Sequence, residues 1–183
     1  ALLTAAIMTE AGLPCAYIGS NGVDIAGQHE ATANTTPESL ELHRLFRKML
    51  DAGVHHCVLE VSSQALRHHR VDGVPFEVVA FTNLSEDHIG PGEHADFAEY
   101  LHWKAALFQQ CRAGVFNIDD PWVRKIMDGV PCRVVTYGTV PGADVRADSN
   151  FTLTREGGRL GAAFTVDGVR YTVGMPGAFS VQN

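Results

Sequence analysis

Three residues of this chain combine a reactive type with a telling position: Glu60, His88 and Lys104. Glu60 closes an apolar run over 54–61 that reads as a buried strand entering the turn Glu60-Val61-Ser62-Ser63. A second strand-like run over 76–84 opens into Thr82-Asn83-Leu84-Ser85-Glu86-Asp87-His88. In open α/β sheets, ligands collect at the carboxyl ends of strands. A carboxylate and an imidazole at adjacent strand ends match the sparse protein ligation of Mg²⁺, whose other positions go to phosphate and water. Each also suits a plainer role, Glu60 as a charge at the start of the following turn and His88 as a polar loop residue. Lys104 stands in His102-Trp103-Lys104-Ala105-Ala106-Leu107-Phe108 beside Leu101, Leu107 and Phe108. Burial there would depress its pKa and favour the neutral amine; an ammonium snorkelling to water is the alternative.

Further polar residues flank these positions. Asn34, Thr35 and Thr36 offer amide and hydroxyl groups, although helix capping by Thr36 explains part of the pattern. Arg70 suits phosphate or carboxylate oxygens, with a surface ion pair as the alternative. Asn117 and Asp120 precede Pro121, and both serve equally well as turn residues. Ser62 near several histidines does not make a hydrolase, because no G-x-S-x-G turn surrounds it. The nine histidines lack the H-E-x-x-H spacing of a zinc site.

The elements that must position these residues follow from periodicity and punctuation. A helix is predicted over 1–11, ended by Gly12 and Pro14. A strand follows over 15–19, with an Asn21-Gly22 turn. Thr36 is the expected N-cap of a helix running to about residue 52, with Pro37 first and Glu38 in the first turn. Leu40, Leu45, Met49 and Leu50 are its expected apolar face. Strands over 54–61 and 76–82, the longest helix over 95–111, a strand over 115–118, a helix over 122–127 and a strand over 133–137 continue the alternation. It implies an α/β fold, a mostly parallel sheet with helices on both faces. After Gly138 the pattern changes to period two over 145–153, 159–166 and 169–173, an antiparallel β meander. Residues 1–183 therefore read as one domain, 1–138 parallel and 139–183 antiparallel.

Composition narrows the function classes. A length of 183 residues supports a real core. The net charge of −7 argues against a broad nucleic-acid surface or an acidic membrane partner. Cys15, Cys57, Cys111 and Cys132 form no C-x-x-C pair and read as reduced thiols of a cytoplasmic protein. No stretch reads as a signal peptide or a membrane span.

Five motifs in order then carry a resemblance: Asn34-Thr35-Thr36-Pro37-Glu38; Glu60-Val61-Ser62-Ser63-Gln64-Ala65-Leu66 with Arg70-Val71-Asp72-Gly73; Asp87-His88-Ile89-Gly90-Pro91-Gly92-Glu93-His94; Asn117-Ile118-Asp119-Asp120; and Pro176-Gly177-Ala178-Phe179-Ser180-Val181-Gln182-Asn183. Together they resemble the central, ATP-binding domain of the Mur ligases, most closely the MurE type. The resemblance implies a P-loop NTPase-like fold and an ATP-dependent ligase joining lysine or meso-diaminopimelate to UDP-MurNAc-L-Ala-D-Glu through an acyl phosphate in peptidoglycan synthesis. It implies ATP and two Mg²⁺ ions held by Glu60, His88 and Lys104, the last as a CO₂-derived carbamate. It also implies substrate contacts from Asn34, Thr35, Thr36, Ser62, His68 and Arg70, and nucleotide contacts from Asn117 and Asp120. Many family members carry Gln where His68 stands.

The family's G-x-x-G-K-[ST] phosphate loop does not occur in this sequence, nor does its C-terminal domain. The expectation is a piece of a ligase, inactive alone, whose partner domains belong to the same polypeptide. A fragment that only binds a UDP-sugar or nucleotide, and a folylpolyglutamate-type or other Mur ligase, are the alternatives.

Overall fold

The computed structural model describes residues 1–183 apart from 88, 149, 150, 157, 178 and 183. The chain forms two compact units, Ala1–Val74 and Pro75–Asn183.

In the first unit, helix α1 (Leu2–Glu10) leads into strand β1 (Cys15–Gly19). Gly12 takes φ +82° between them, a left-handed conformation that a glycine enters without steric cost. β1 then turns back through Ser20-Asn21 into β2 (Gly22–Ile25), pairing Gly19 with Gly22, and β3 (Gln28–Glu30) adds to β2. The sequence marks the Asn21-Gly22 turn but not these two short strands. Helix α2 (Ser39–Asp51), β4 (His56–Leu59) and α3 (Ser63–Arg67) complete the unit. The sheet order is β3-β2-β1-β4, and only β1 and β4 run parallel. Ala16, Tyr17 and Ile18 are all buried, as expected of a strand covered on both faces.

Helix α2 corrects two expectations. Its N-cap is Glu38, in extended backbone, and not Thr36. The Thr36 hydroxyl is engaged in tertiary bonds and cannot cap. The buried face is Leu42, Leu45 and Met49, at i, i+3 and i+7, whereas Leu40 and Leu50 are 66% and 50% exposed.

In the second unit, β5 (Phe76–Phe81), α4 (Phe97–Ala106), β6 (Cys111–Asn117), α5 (Val123–Met127), β7 (Arg133–Gly138) and β8 (Val145–Arg146) alternate strand and helix up to β7. The sheet order is β5-β6-β7-β8, parallel throughout. Helix α4 is capped by the Asp96 carboxylate, which accepts from Glu99 N at 2.8 Å. It is shorter than expected because Leu107–Gln110 tightens into a 3₁₀ turn and Cys111 enters β6. α2, at 13 residues, is longer. Phe108 in that turn stacks on Phe116 of β6 at 4.5 Å, inside a core that includes Val79, Phe81, Leu84, Tyr100, Val123 and Ile126.

β8 joins the parallel sheet, which corrects its expected place in the meander. The Thr136 N–H and hydroxyl both donate to Asp144 at 2.8 Å and so dock residues 144–146 beside β7. The meander itself is β9 (Thr152–Glu156), β10 (Arg159–Val166) and β11 (Val169–Val173), in the order β11-β10-β9, followed by α6 (Phe179–Gln182). The architecture is thus α/β, with a largely parallel sheet flanked by helices and a separate antiparallel sheet. Among the described residues no helix is long and apolar enough to cross a membrane.

Candidate functional site

Glu60 lies one residue beyond β4, and its N–H donates to Ile18 O at 2.9 Å, which extends the parallel register with β1. Its carboxylate is held from β1. The Tyr17 phenol donates to Oε1 at 3.0 Å, and the N–H and hydroxyl of Ser20 each donate to Oε2 at 2.9 Å. Burial alone would raise the pKa of this carboxyl, but the donors of Ser20 and Tyr17 outweigh it and hold the group below its ordinary value. Gly19 leaves the room for this arrangement. A Cβ there would stand 2.3 Å from Tyr17 Oη and 2.5 Å from Glu60 Cδ. A carboxylate offers about four lone-pair sites. Three are taken, so one site on Oε1 remains for a ligand. A single hard oxygen donor suits Mg²⁺, which takes one or two carboxylates and keeps several waters.

Around this carboxylate the first unit gathers several of the expected residues. Thr36 is fully buried; its hydroxyl donates to Glu60 O at 2.9 Å and accepts from Ser62 N at 3.0 Å. The Thr35 hydroxyl lies 3.3 Å from that of Ser20. Ser62 caps α3, accepting from Ala65 N at 3.1 Å. Arg70, with 15% of its side chain exposed, donates to Thr36 O at 3.2 Å and pairs with Glu38 at 2.7 Å. Its buried Nε has no hydrogen-bond partner among the described residues. Asn34 and His68 are exposed and share no hydrogen bond with this group among the described residues.

The second unit carries the remaining candidates. Lys104 lies near the C-terminal end of α4, its Nζ 5.8 Å from the centre of the Tyr100 ring. Burial pushes its pKa down, and among the described residues no carboxylate forms an ion pair with it. That favours the neutral amine over what an exposed lysine would hold. The buried ring of His94 packs on the other partner of this contact, 5.3 Å from Tyr100. His88 lies outside the described residues.

Asn117 and Asp120 are buried at the end of β6, where their polar atoms stitch the chain leaving β5. Asn117 Nδ2 donates to Thr82 O at 2.7 Å, and Asp120 Oδ2 accepts from Leu84 N at 2.9 Å. Asp120 Oδ1 accepts from Trp122 N at 2.8 Å, and Asn117 Oδ1 from Asp119 N at 3.0 Å. Asp119 in turn accepts from the N–H and hydroxyl of Thr139, each at 2.8 Å. Among the described residues no three or more of His, Cys, Asp and Glu converge to hold a metal.

Sequence reasoning missed Tyr17, Gly19, Ser20, His94 and Asp119. Gly19-Ser20-Asn21-Gly22 was legible only as a turn, because the partner that gives it meaning, Glu60, lies 40 residues away from Ser20. His94 carried a signal, as the histidine closing the Asp87–His94 motif.

Comparison with known proteins covers the whole chain. Residues 1–183 match the family described as the Mur ligase middle domain. The UDP-N-acetylmuramoyl-L-alanyl-D-glutamate--2,6-diaminopimelate ligase of Geobacter metallireducens is 36% identical over 183 residues, covering 95% of this chain and 33% of the relative. Its counterpart in Clostridium tetani is 35% identical, covering 97% of this chain and 36% of the relative. That in Clostridium perfringens is 33% identical, covering 100% and 38%. A solved structure of a UDP-N-acetylmuramoyl-L-alanyl-D-glutamate--2,6-diaminopimelate ligase superposes with a TM-score of 0.80 at 25% identity, covering 99% of this chain and 38% of that one. The chain spans about a third of the length of the curated relatives it matches. Matched over its whole length, the chain belongs to the Mur ligase family, as a middle domain.

Proposed function

We propose that this chain is the middle portion of an ATP-dependent amide ligase that adds 2,6-diaminopimelate to UDP-MurNAc-L-Ala-D-Glu in the cytoplasm, during peptidoglycan synthesis. The observation that carries the reading is the match over the whole chain to relatives that bear that activity in their names. The locally built Glu60 cradle supports it.

In this reading the carboxylate of the UDP-linked dipeptide takes the γ-phosphoryl group of ATP, and the incoming amine then displaces phosphate. Such chemistry asks the protein mainly for positioning and charge neutralisation. Bound Mg²⁺ would supply that neutralisation at phosphate oxygens. Glu60, His88 and Lys104 would hold the two ions, Glu60 through the free site on Oε1. The amine of Lys104, whose pKa burial lowers, would take CO₂ as a carbamate with release of a proton and so become an oxygen donor. Asn34, Thr35, Ser62, His68 and Arg70 would contact the UDP-linked substrate, with the buried Thr36 bracing the backbone of Glu60 and Ser62. Arg70 is the strongest of these, because its unsatisfied Nε retains a donor for an anionic oxygen. Asn117 and Asp120 border the nucleotide while tethering residues 82 and 84.

The test is product formation by the natural full-length polypeptide supplied with ATP, Mg²⁺, UDP-MurNAc-L-Ala-D-Glu and either diaminopimelate or lysine, read by mass spectrometry. A diaminopimelate-containing tripeptide product is expected. A lysine product would move the assignment to the lysine-adding class, and no amide product would overturn the reading. For Lys104, ¹³CO₂ should give a carbamate carbon signal that Lys104→Ala removes.

A further inference from the structure

Among the described residues, three that are not glycine take a left-handed backbone: Ala26, His69 and Asp167. Ala26 and Asp167 lie in the tight turns from β2 to β3 and from β10 to β11, where that conformation closes a hairpin. His69, at φ +57°, lies in no hairpin; it stands between α3 and Arg70. Its N–H donates to Leu66 O at 3.0 Å, and the Arg70 N–H donates to Ala65 O at 2.8 Å. This pair of bonds ends a helix by folding the chain back over its last turn. It requires a left-handed residue where His69 stands, a place that glycine usually holds. Any side chain there costs conformational energy, most of all a β-branched one, although histidine enters the region more readily than most residues. The imidazole gains little in return. Its Nδ1 lies 2.9 Å from Asp72 Oδ2, but both side chains are mostly exposed, and surface pairs of this kind contribute little.

What the bend does is geometric. Ala65 and Leu66 before it and Val71 after it are buried, so the chain is anchored on both sides. The conformation of His69 therefore sets the direction in which the Arg70 side chain leaves the backbone. From there the guanidinium reaches Thr36 O at 3.2 Å and Glu38 at 2.7 Å. We propose that His69 is a positioning residue for substrate binding: its left-handed backbone, rather than its imidazole, aims Arg70 at an anionic oxygen of the UDP-linked dipeptide. A residue that resists this conformation opens the bend and swings Arg70 away from Thr36 and Glu38. Affinity then falls with the fraction of molecules that keep the bend. The inference rests on the proposed contact of Arg70 with that substrate.

The experiment measures KM for UDP-MurNAc-L-Ala-D-Glu and for ATP in the natural full-length polypeptide and in variants at position 69. Hydrogen exchange at the Arg70 N–H is followed in parallel. His69→Val should raise KM for the dipeptide substrate about thirtyfold and His69→Ala about threefold, the order of their left-handed strain. KM for ATP should not change. Exchange at the Arg70 N–H should accelerate in the same order. Glycine and asparagine admit the conformation, so His69→Gly and His69→Asn should stay within about twofold of the natural KM. Asp72→Ala should change neither KM. If His69→Val does not fold, the contrast between His69→Ala and His69→Gly decides. Equal losses in all four variants at position 69, or a loss in Asp72→Ala as large as that in His69→Val, would assign the effect to the imidazole and overturn the proposal. So would an unchanged KM in His69→Val and His69→Ala. Arg70→Ala is the control for the underlying reading. If it leaves KM for the dipeptide substrate unchanged, the substrate contact of Arg70 falls and the inference falls with it.

Discussion

The Thr36 hydroxyl donates to the carbonyl of Glu60 at 2.9 Å while it accepts from Ser62 N at 3.0 Å, and it is fully buried. One side chain thus satisfies a donor and an acceptor on the two sides of the residue between them, Val61. Thr36→Val keeps the shape but leaves both backbone groups without that partner, so a loss of about 2–3 kcal/mol is expected. Thr36→Ser keeps both bonds and should lose about 1 kcal/mol for the missing methyl. Urea unfolding of the two variants checks the difference, and equal losses would show that the hydroxyl does not matter.

Gly19 and Glu60 are linked by space as Thr36 and Glu60 are by hydrogen bonds. Gly19→Ala would drive a methyl into Tyr17 Oη and the Glu60 carboxylate, which must then leave its three donors. The Glu60 pKa should rise back toward or above the ordinary range, because burial would then act without compensation. The sign for stability follows. A carboxyl with a depressed folded pKa contributes stability above its unfolded pKa and loses it as pH falls through the folded value. Glu60→Gln should therefore be destabilising near neutrality and close to neutral in effect in acid. Carboxyl ¹³C titration of Glu60, with denaturation at both pH values, tests both statements.

Asp120 supplies the next prediction. Its two oxygens hold Leu84 N and Trp122 N at 2.9 and 2.8 Å, and with Asn117 on Thr82 O they fix the first residues of the segment that leads to His88. Asp120→Ala strips both amides of their acceptor and should cost about 2 kcal/mol. Hydrogen exchange at Leu84 should accelerate well beyond exchange in the centre of β6. Uniform acceleration across the second unit would mean that the residue is a general stabiliser rather than a tether.

These cases also show what the sequence could and could not reveal. Strands β1, β10 and β11 were legible to the residue, because Gly12 and Pro14, then Asp167 and Gly168, punctuate clean apolar patterns. The start of α2 was misread because Thr36-Pro37 has cap chemistry, and nothing local says that its hydroxyl is used by Glu60 and Ser62. Strands β2 and β3 are four and three residues long, too short for period two to register. Ser20 and Tyr17 gained meaning only through Glu60, more than 35 positions away, and such contacts leave no trace in spacing. His94 was visible within a motif, but its burial against Tyr100 was not.

Lys104 gives the last prediction, in which stability and function should part. Burial lowers its pKa, and among the described residues no carboxylate offsets its charge. For a lysine with a depressed folded pKa, the folded state binds fewer protons than the unfolded one. Stability then rises with pH across the window between the folded value and the ordinary lysine value. Below that window the fold bears the full cost of an ammonium in a poor environment. Lys104→Met removes the titration, keeps the aliphatic stem against Tyr100, and should be at least as stable as the natural chain at neutral pH. It should also flatten the rise in stability on the alkaline side. Activity of the full-length polypeptide should nevertheless disappear, since methionine cannot form a carbamate. Thermal unfolding at neutral and alkaline pH, set beside the ligase assay, decides the point. A variant that is less stable at neutral pH would show that the ammonium has a stabilising partner, and retained activity would remove Lys104 from the chemistry.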